Sequence, residues 1–178
     1  MTAPDPKSWI QTFTGKQFFP LDPRPEDLDI RDIAHALSLQ CRFNGHCLQF
    51  YSVAEHSVRV SEWLDGEHSL WGLLHDAAEA YLGDVVRPLK RQLDAYNAIE
   101  KRLLRVVADH FDLGWPMPEA VAVADTRLLA AEARDIMAPA PAPWELMGLE
   151  PLPGTIEPWS ATEAEQRFVE RYAKLTGG

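Results

Sequence analysis

The sequence contains little cysteine: only Cys41 and Cys47 occur among its 178 residues, separated by five positions. Such a pair is too sparse for a disulfide framework or a cysteine-rich zinc site, so both residues are predicted to be free thiols. No run of 18 apolar residues occurs, and the opening MTAPDPKSW lacks the basic and apolar blocks of a signal peptide. These absences favour a cytoplasmic protein with no membrane association.

Positive charge is also scarce. The chain has 17 Lys and Arg residues against 27 Asp and Glu residues, which gives a formal net charge of -10. Sequence-independent binding to nucleic-acid polymers or to anionic membranes requires a positively charged surface, so neither partner is expected. The predicted partner is instead a small molecule, and an anionic ligand would have to meet a local group of basic residues.

The remaining composition is ordinary for a globular protein, with 46% hydrophobic and 25% charged residues. A chain of this length fits one domain, residues 1–178, and can bury roughly 70% of the surface of its unfolded state. Apolar residues recur mainly at helical spacing, which predicts an all-α helical bundle. A short N-terminal β-hairpin is predicted around Thr14 and Gly15. The predicted helices span 29–39, 69–82, 94–111, 119–137 and 160–175, and one further helix is predicted to begin at 52.

Helix starts carry recognisable capping residues. Ser52 with Glu55 and Ser160 with Glu163 form S-x-x-E capping boxes. The stretch LWGLLHDAAEAYL is apolar almost all round, which is typical of a central buried helix, and Ser69 is the predicted cap before it. Asp94 is the predicted cap of the helix that follows.

Proline is concentrated near the carboxyl end, with six prolines between Pro139 and Pro158. This composition predicts an irregular connection over about 138–159. Irregular segments of this length inside a domain are often functional or mobile, so the segment is a candidate lid.

The chemistry of the chain centres on His75 and Asp76, which lie within its most apolar stretch. An unpaired carboxylate in such a place costs several kcal/mol, and a cation would be a suitable partner. His56 lies on the apolar face of the preceding helix and Asp125 on a later Ala-rich one. We therefore predict that four ligands from three helices meet at one divalent metal ion. The mixed N/O set favours Mn, Co, Zn, Fe or Ni over Ca, and Mg is also retained as a candidate.

Other polar residues could serve the same site. Glu79 follows His75 by four positions, one helical turn, and could transfer a proton. Arg42 and Lys90 are candidate phosphate partners, whereas Arg87 and Arg91 are weaker ones. His46 either contacts the substrate or stabilises its loop.

The order of these motifs resembles one family. EHS (Glu55 to Ser57), HDAAEAYLGDVVRPLK (His75 to Lys90), IEK (Ile99 to Lys101) and VADTRL (Val123 to Leu128) are similar to the bacterial 5′-deoxynucleotidases of the HD-domain superfamily, and among them to small phage-associated hydrolases. The resemblance covers about half of the chain, from Arg42 to Leu129.

The resemblance implies an HD-domain helical bundle and a role for each matched residue. It assigns metal binding to His56, His75, Asp76 and Asp125. Glu79 would be the proton-transfer group, and Asp84 would orient water or the leaving group. Arg42 and Phe43 would contact phosphate and base, although the family more often has Trp at the second position.

The expected function is therefore a metal-dependent phosphohydrolase, a 5′-deoxynucleotidase acting on deoxynucleoside monophosphates. One alternative is a deoxynucleoside triphosphate phosphohydrolase, since one fold can support several substrates. The other is a non-catalytic nucleotide-binding regulatory module. The resemblance also implies a homo-oligomer, a dimer or larger, in which the terminal helix could serve as an interface.

Overall fold

The computed structural model describes residues 8–144, 146 and 148–177, and it begins with a small hairpin. Strands Ile10–Gln11 (β1) and Gln17–Phe18 (β2) pair antiparallel, with Ile10 opposite Phe18. Asp32 holds the turn, because its carboxylate accepts hydrogen bonds from the Thr14 backbone N–H at 2.6 Å and from the Thr14 hydroxyl at 2.9 Å. The predicted hairpin is confirmed.

The other regular elements are helical, which confirms the all-α prediction. Short 3₁₀ turns occupy Pro25–Asp27 and Arg42–Gly45. The α-helices of the described residues are Ile30–Leu39 (α1), Val53–Trp63 (α2), His68–Leu74 (α3), Glu79–Leu82 (α4), Arg87–Lys90 (α5), Asp94–His110 (α6), Glu119–Asp135 (α7) and Ala161–Thr176 (α8).

Two of the predicted helix caps are present. The Ser52 hydroxyl accepts a hydrogen bond from the Glu55 N–H at 3.0 Å, and the Ser160 hydroxyl accepts one from the Glu163 N–H at 3.2 Å. These bonds satisfy backbone donors that the first turn of each helix leaves without a partner. Helices α2 and α8 therefore start where the sequence predicts.

The predictions for Ser69 and Asp94 were wrong. Ser69 lies inside α3, and its hydroxyl donates to the Leu64 carbonyl at 2.5 Å. Asp94 is the first residue of α6 rather than its cap, a position held by Leu93 without a side-chain bond. An acid in the first helical turn still interacts favourably with the helix dipole, which explains why the two positions look alike in sequence.

Helix α2 lies at the centre of the bundle, packed against α1, α3, α7 and α8. Eight of its 11 residues are buried. Helix α3 approaches α2 closely at Gly72, where an added Cβ would lie 2.8 Å from Leu64 Cδ1 and 3.0 Å from Ser61 Cα. A larger residue at position 72 would therefore push apart the two helices that carry the predicted histidine ligands.

Two groups of buried side chains flank the central helix. The first joins α1, α3, α6 and α8 through residues such as Leu37, Leu73, Leu103 and Phe168. The second includes Tyr51, Trp71, Val121 and Leu128. The terminal helix α8 thus uses its apolar face within the chain. None of the helices among the described residues combines the length and the apolarity needed to cross a membrane.

The predicted continuous helix through LWGLLHDAAEAYL is broken after Leu74. The His75 imidazole donates from Nδ1 to the Gly72 carbonyl at 2.8 Å. A continuing α-helix would give that carbonyl to the Asp76 N–H, so side chain and backbone compete for one acceptor. The chain then follows tighter i to i+3 bonds, such as Glu79 N–H to the Asp76 carbonyl at 2.9 Å.

The described residues of 138–159 contain no helix or strand. Their second half is nevertheless packed, since Leu152 and Ile156 are buried. Arg134 donates to the carbonyls of Leu152 at 3.5 Å and Gly154 at 2.5 Å, and Asp135 accepts from the Ile156 N–H at 2.9 Å. These bonds hold the second half of the segment against the end of α7.

Candidate metal centre

Side chains from three parts of the chain converge between α2, α3 and α7. The ligand atoms of His56, His75 and Asp125 all lie within 4.8 Å of one another. Their closest pairs are His56 Nε2 to His75 Nε2 at 3.3 Å and His56 Nε2 to Asp125 Oδ1 at 3.2 Å. Asp76 Oδ2 lies 3.3 Å from His75 Nε2 and 3.8 Å from His56 Nε2. The structure thus brings three of the four predicted ligands, His56, His75 and Asp125, into one group, with the Asp76 carboxylate next to both histidines.

The hydrogen bonds at the far side of each imidazole determine which nitrogen faces the centre of this group. The Gly72 carbonyl can only accept, so His75 carries its proton on Nδ1. Glu132 Oε1 lies 2.7 Å from His56 Nδ1 and likewise favours a proton there. In the neutral imidazoles both Nε2 lone pairs then face each other and the carboxylates of Asp76 and Asp125. Such a set of acceptors suits a cation, so the group could hold a metal ion.

The two aspartates of the group are ionised. Burial raises the pKa of Asp125, but the hydrogen bond and the charge of His56 outweigh it and hold that pKa well below its usual range. For Asp76, burial also acts to raise the pKa, and the neighbouring His75, His56 and Arg42 together hold it well below the usual range. Two carboxylates and two neutral imidazoles would balance a 2+ charge.

A buried carboxylate that sequence analysis missed, Glu132 of α7, supports the group from behind. Its Oε1 contacts His56 Nδ1 at 2.7 Å, and its Oε2 accepts from Arg42 Nη2 at 3.1 Å. Burial raises the pKa of Glu132, but Arg42 and His56 outweigh that effect and keep it below its ordinary value. Glu132 follows Asp125 by seven residues, two helical turns, so the spacing places both acids on one face of α7. This spacing is the feature of the sequence from which a role for Glu132 beside Asp125 could have been predicted.

Glu79 and Asp84 lie at the two ends of a short segment, close enough to Asp76 for its charge to act on both carboxyl groups. Gln40 pins both ends, since its Nε2 donates to the Glu79 carbonyl at 3.0 Å and its Oε1 accepts from the Asp84 N–H at 3.1 Å. Between them Gly83 adopts φ 83° and ψ 153°, a conformation that only glycine adopts readily. The backbone conformation at position 83 therefore explains why a glycine precedes Asp84.

The environment of Glu79 favours its protonated form. Burial raises its pKa well above the ordinary value, and the negative charges of Asp76 and Asp84 add to the effect. Its Oε2 is buried and has no hydrogen-bond partner among the described residues. The pKa of Asp84 is also raised, chiefly by burial. Glu79 is thus suited to donate a proton and Asp84 to accept one.

Lys90, a predicted phosphate partner, lies in the same region but is engaged by acids. Its Nζ lies 2.5 Å from Glu100 Oε1 and 3.7 Å from Glu79 Oε1. Glu100 belongs to the IEK motif, and the sequence alone did not indicate its pairing. Lys90 therefore connects α5 and α6 beside Glu79.

The loop Arg42–Gly45 brings two other predicted substrate residues near the centre. The Arg42 guanidinium is largely buried, with contacts of 3.1 Å to Glu132 Oε2 and 3.8 Å to Asp76 Oδ2. Phe43 adopts a left-handed backbone with φ 56°, and its ring meets that of Trp144 edge-on at 6.0 Å. His46 is exposed at the end of the turn. The two free cysteines that flank this loop have their sulfurs 3.5 Å apart.

Arg87, which the sequence ranked as a weak candidate, contacts the metal group directly. Its Nη2 donates to Asp125 Oδ2 at 2.7 Å, while Asp125 Oδ1 faces His56. The Arg87 side chain remains 53% exposed, compared with 11% for Arg42. Arg87 is therefore the more accessible of the two arginines, although the sequence ranked Arg42 as the stronger phosphate partner.

In the metal-free protein His56 should hold a proton at neutral pH. Burial and Arg42 oppose protonation, but Glu132 and the hydrogen bonds to Asp125 and Glu132 outweigh them and raise the pKa of His56 to about 9. Metal and proton compete for Nε2, so each Mn²⁺ bound at pH 7 should release about one proton, and affinity should rise about tenfold per pH unit up to about pH 9.

Calorimetric titrations in buffers of different ionisation enthalpy would measure this proton release. His68→Gln, which removes a half-exposed imidazole outside the group, is the matched control and should leave the release unchanged. Metal binding with no proton release between pH 6 and 8 would contradict the prediction.

Fold and site together define the class of this protein: an all-α helical bundle whose buried histidine and carboxylate group could hold a metal ion. The chain belongs to the family of the Escherichia coli (strain K12) protein YfdR. The two are 38% identical over 173 residues, which cover 95% of this chain and 96% of its relative.

A second relative comes from Rhodobacter capsulatus. It is 36% identical over 144 residues, 73% of this chain and 74% of that protein. Both relatives are named as uncharacterized proteins, so their names carry no activity. No protein-family model matches the sequence.

Proposed function

We propose that this protein is a metal-dependent phosphohydrolase of the HD-domain type that removes the phosphate from deoxynucleoside 5′-monophosphates. The observation that carries the proposal is the group of His56, His75 and Asp125, with the Asp76 carboxylate next to both imidazoles. The H…HD…D motif order and its resemblance to bacterial 5′-deoxynucleotidases add the substrate class. His56, His75, Asp76 and Asp125 would hold one divalent ion.

When bound, a divalent ion would lower the pKa of a water molecule and polarise a phosphoryl oxygen. The chain's own residues supply the remaining steps. Asp84 accepts a proton from the attacking water, and Glu79 donates its proton to the departing 5′ oxygen of the nucleoside. Lys90 places a positive charge next to Glu79, at 3.7 Å, where charge develops in the transition state. Phe43 offers a partly exposed ring for the base.

The direct test is a substrate panel. Purified protein would be incubated with deoxynucleoside mono- and triphosphates in the presence of Mn²⁺ or Co²⁺, with Asp76→Ala as the control. We expect phosphate release from monophosphates by the unmodified protein and not by the variant. Equal release from both proteins would refute the proposal.

The products decide between the remaining alternatives. Release of tripolyphosphate, or phosphate only from triphosphates, would indicate a deoxynucleoside triphosphate phosphohydrolase. Nucleotide binding without any turnover would indicate a regulatory module. The intact set of four ligands together with Glu79 favours an enzyme over such a module.

Glu79→Gln should keep metal binding but lower the rate of phosphate release by at least about 100-fold, because an amide cannot donate the proton that the leaving oxygen requires. The rate of the unmodified protein should fall as the pH rises through the elevated pKa of Glu79, and the variant should lose this alkaline limb. Rate measurements against pH would check both effects.

Glu119→Gln, an exposed acid at the start of α7, serves as the control for the loss of a carboxylate and should behave like the unmodified protein. A Glu79→Gln variant with more than half of the original rate would remove Glu79 from the mechanism.

A further inference from the structure

The proposed site contains more acids than accessible cations. Asp76, Asp84, Glu79, Asp125 and Glu132 contribute carboxyl groups within or next to the metal group. A phosphate monoester is a dianion near neutral pH, so it needs a positive side chain that is both adjacent to the group and open to solvent. Three cations have contacts with these acids: Arg42, Arg87 and Lys90.

Two of the three are engaged by acids and have little exposed surface. The Arg42 side chain is 11% exposed and lies between Glu132 and Asp76. The Lys90 side chain is 27% exposed, with its ammonium group 2.5 Å from Glu100. Moving either cation to a phosphate would leave a buried or half-buried carboxylate without its partner, which is costly.

Arg87 is also paired with an acid, but it is the most exposed of the three cations. Its side chain is 53% exposed, and one of its five N–H donors makes the bond to Asp125 Oδ2 at 2.7 Å. Asp125 therefore faces the histidines with one oxygen and Arg87 with the other. This arrangement holds the guanidinium against the outer oxygen of Asp125. The exposed part of the side chain keeps other N–H donors available on the solvent side.

We propose that Arg87 binds the phosphate group of the substrate from its place beside Asp125, and that Arg42 instead positions Glu132 and Asp76. This inference rests on the proposed function for its substrate, a phosphate monoester dianion. The planar fork of arginine suits two phosphate oxygens.

The test measures the binding of inorganic phosphate to Mn²⁺-saturated protein by calorimetry, together with the affinity for Mn²⁺ itself. Arg87→Ala should weaken phosphate binding to the Mn²⁺-saturated protein at least about tenfold, the loss expected for a charge-assisted hydrogen bond. Because Arg87 bonds to the ligand Asp125, Mn²⁺ affinity should change by no more than the roughly 10–100-fold typical of outer-shell residues. Arg87→Lys should recover part of the loss. The control is Arg105→Ala, which removes an exposed arginine paired with Asp109 at 3.0 Å and should have no effect.

Phosphate affinity within twofold of the original in Arg87→Ala would overturn the inference. A large loss of Mn²⁺ affinity with unchanged phosphate affinity at saturating Mn²⁺ would also overturn it and leave Arg87 a positioning role only. If the unmodified protein hydrolyses no nucleotide but binds phosphate through Arg87, the proposed function fails and this inference stands. If it hydrolyses monophosphates and Arg87→Ala retains the original KM, the inference alone fails.

Discussion

Asp125→Asn is expected to abolish metal-dependent phosphate release and to weaken Mn²⁺ binding by more than about 100-fold, beyond the range of roughly 10–100-fold typical of outer-shell residues. The amide removes one of the two negative charges of the metal group. It also presents an N–H that can bond to the His56 Nε2 lone pair, now 3.2 Å from Asp125 Oδ1, and so occupy a second ligand. Calorimetry would measure the affinity and a phosphate assay the rate.

Asp109→Asn is the matched control for this change. Asp109 also pairs with an arginine, since Arg105 Nε lies 3.0 Å from its Oδ1, but the pair is exposed on α6. Its substitution should leave both measurements unchanged. Retention of Mn²⁺ affinity within about threefold in Asp125→Asn, with circular dichroism unchanged, would exclude Asp125 as a ligand.

Glu132→Ala is expected to lower the free energy of unfolding by about 3–5 kcal/mol, the range for breaking a buried ion pair by removal of one partner. The Glu132 side chain is fully buried and contacts two positive or protonated groups, Arg42 at 3.1 Å and His56 at 2.7 Å. Its loss leaves the Arg42 guanidinium buried, with the Nε atom already lacking a hydrogen-bond partner. For a chain of this size the melting temperature should fall on the order of 10 °C.

Two further variants make this result specific. Glu163→Ala breaks an exposed ion pair, with Arg167 at 2.8 Å, and should cost less than about 1 kcal/mol. The double variant Arg42→Met with Glu132→Leu removes both buried charges and should recover much of the stability, although not the metal affinity. A Glu132→Ala variant that unfolds at the original denaturant concentration would show that Glu132 does not stabilise this centre.

The sequence predicted the helices best where local chemistry decides their ends. Ser52 and Ser160 cap α2 and α8 as expected. Each hydroxyl accepts from the backbone N–H three residues later, so the interaction lies within a single turn. The prediction failed at His75, where the imidazole bonds to the Gly72 carbonyl and ends α3. Which side chain competes with the backbone depends on where neighbouring helices hold it.

The candidate site likewise combines features that the local sequence decides with features that the packing of helices decides. Residue type and order were sufficient to nominate His56, His75, Asp76 and Asp125, because imidazoles and acids in apolar helices require partners. Only the packing of α7 against α2 and α3 placed Glu132 behind His56 and Arg87 on Asp125. Neither contact can be read from helical periodicity, since each joins residues 38 or 76 positions apart.

The sequence by itself determined the helical class, the hairpin, most helix ends and the identity of the polar residues that must find partners inside the bundle. Tertiary structure alone decided which partner each one has: Arg42 became a buried counter-ion of Glu132, and Arg87 became the exposed cation beside the metal group. The physical reason is that helix formation depends on neighbours within one or two turns, whereas burial and ion pairing depend on how distant helices pack.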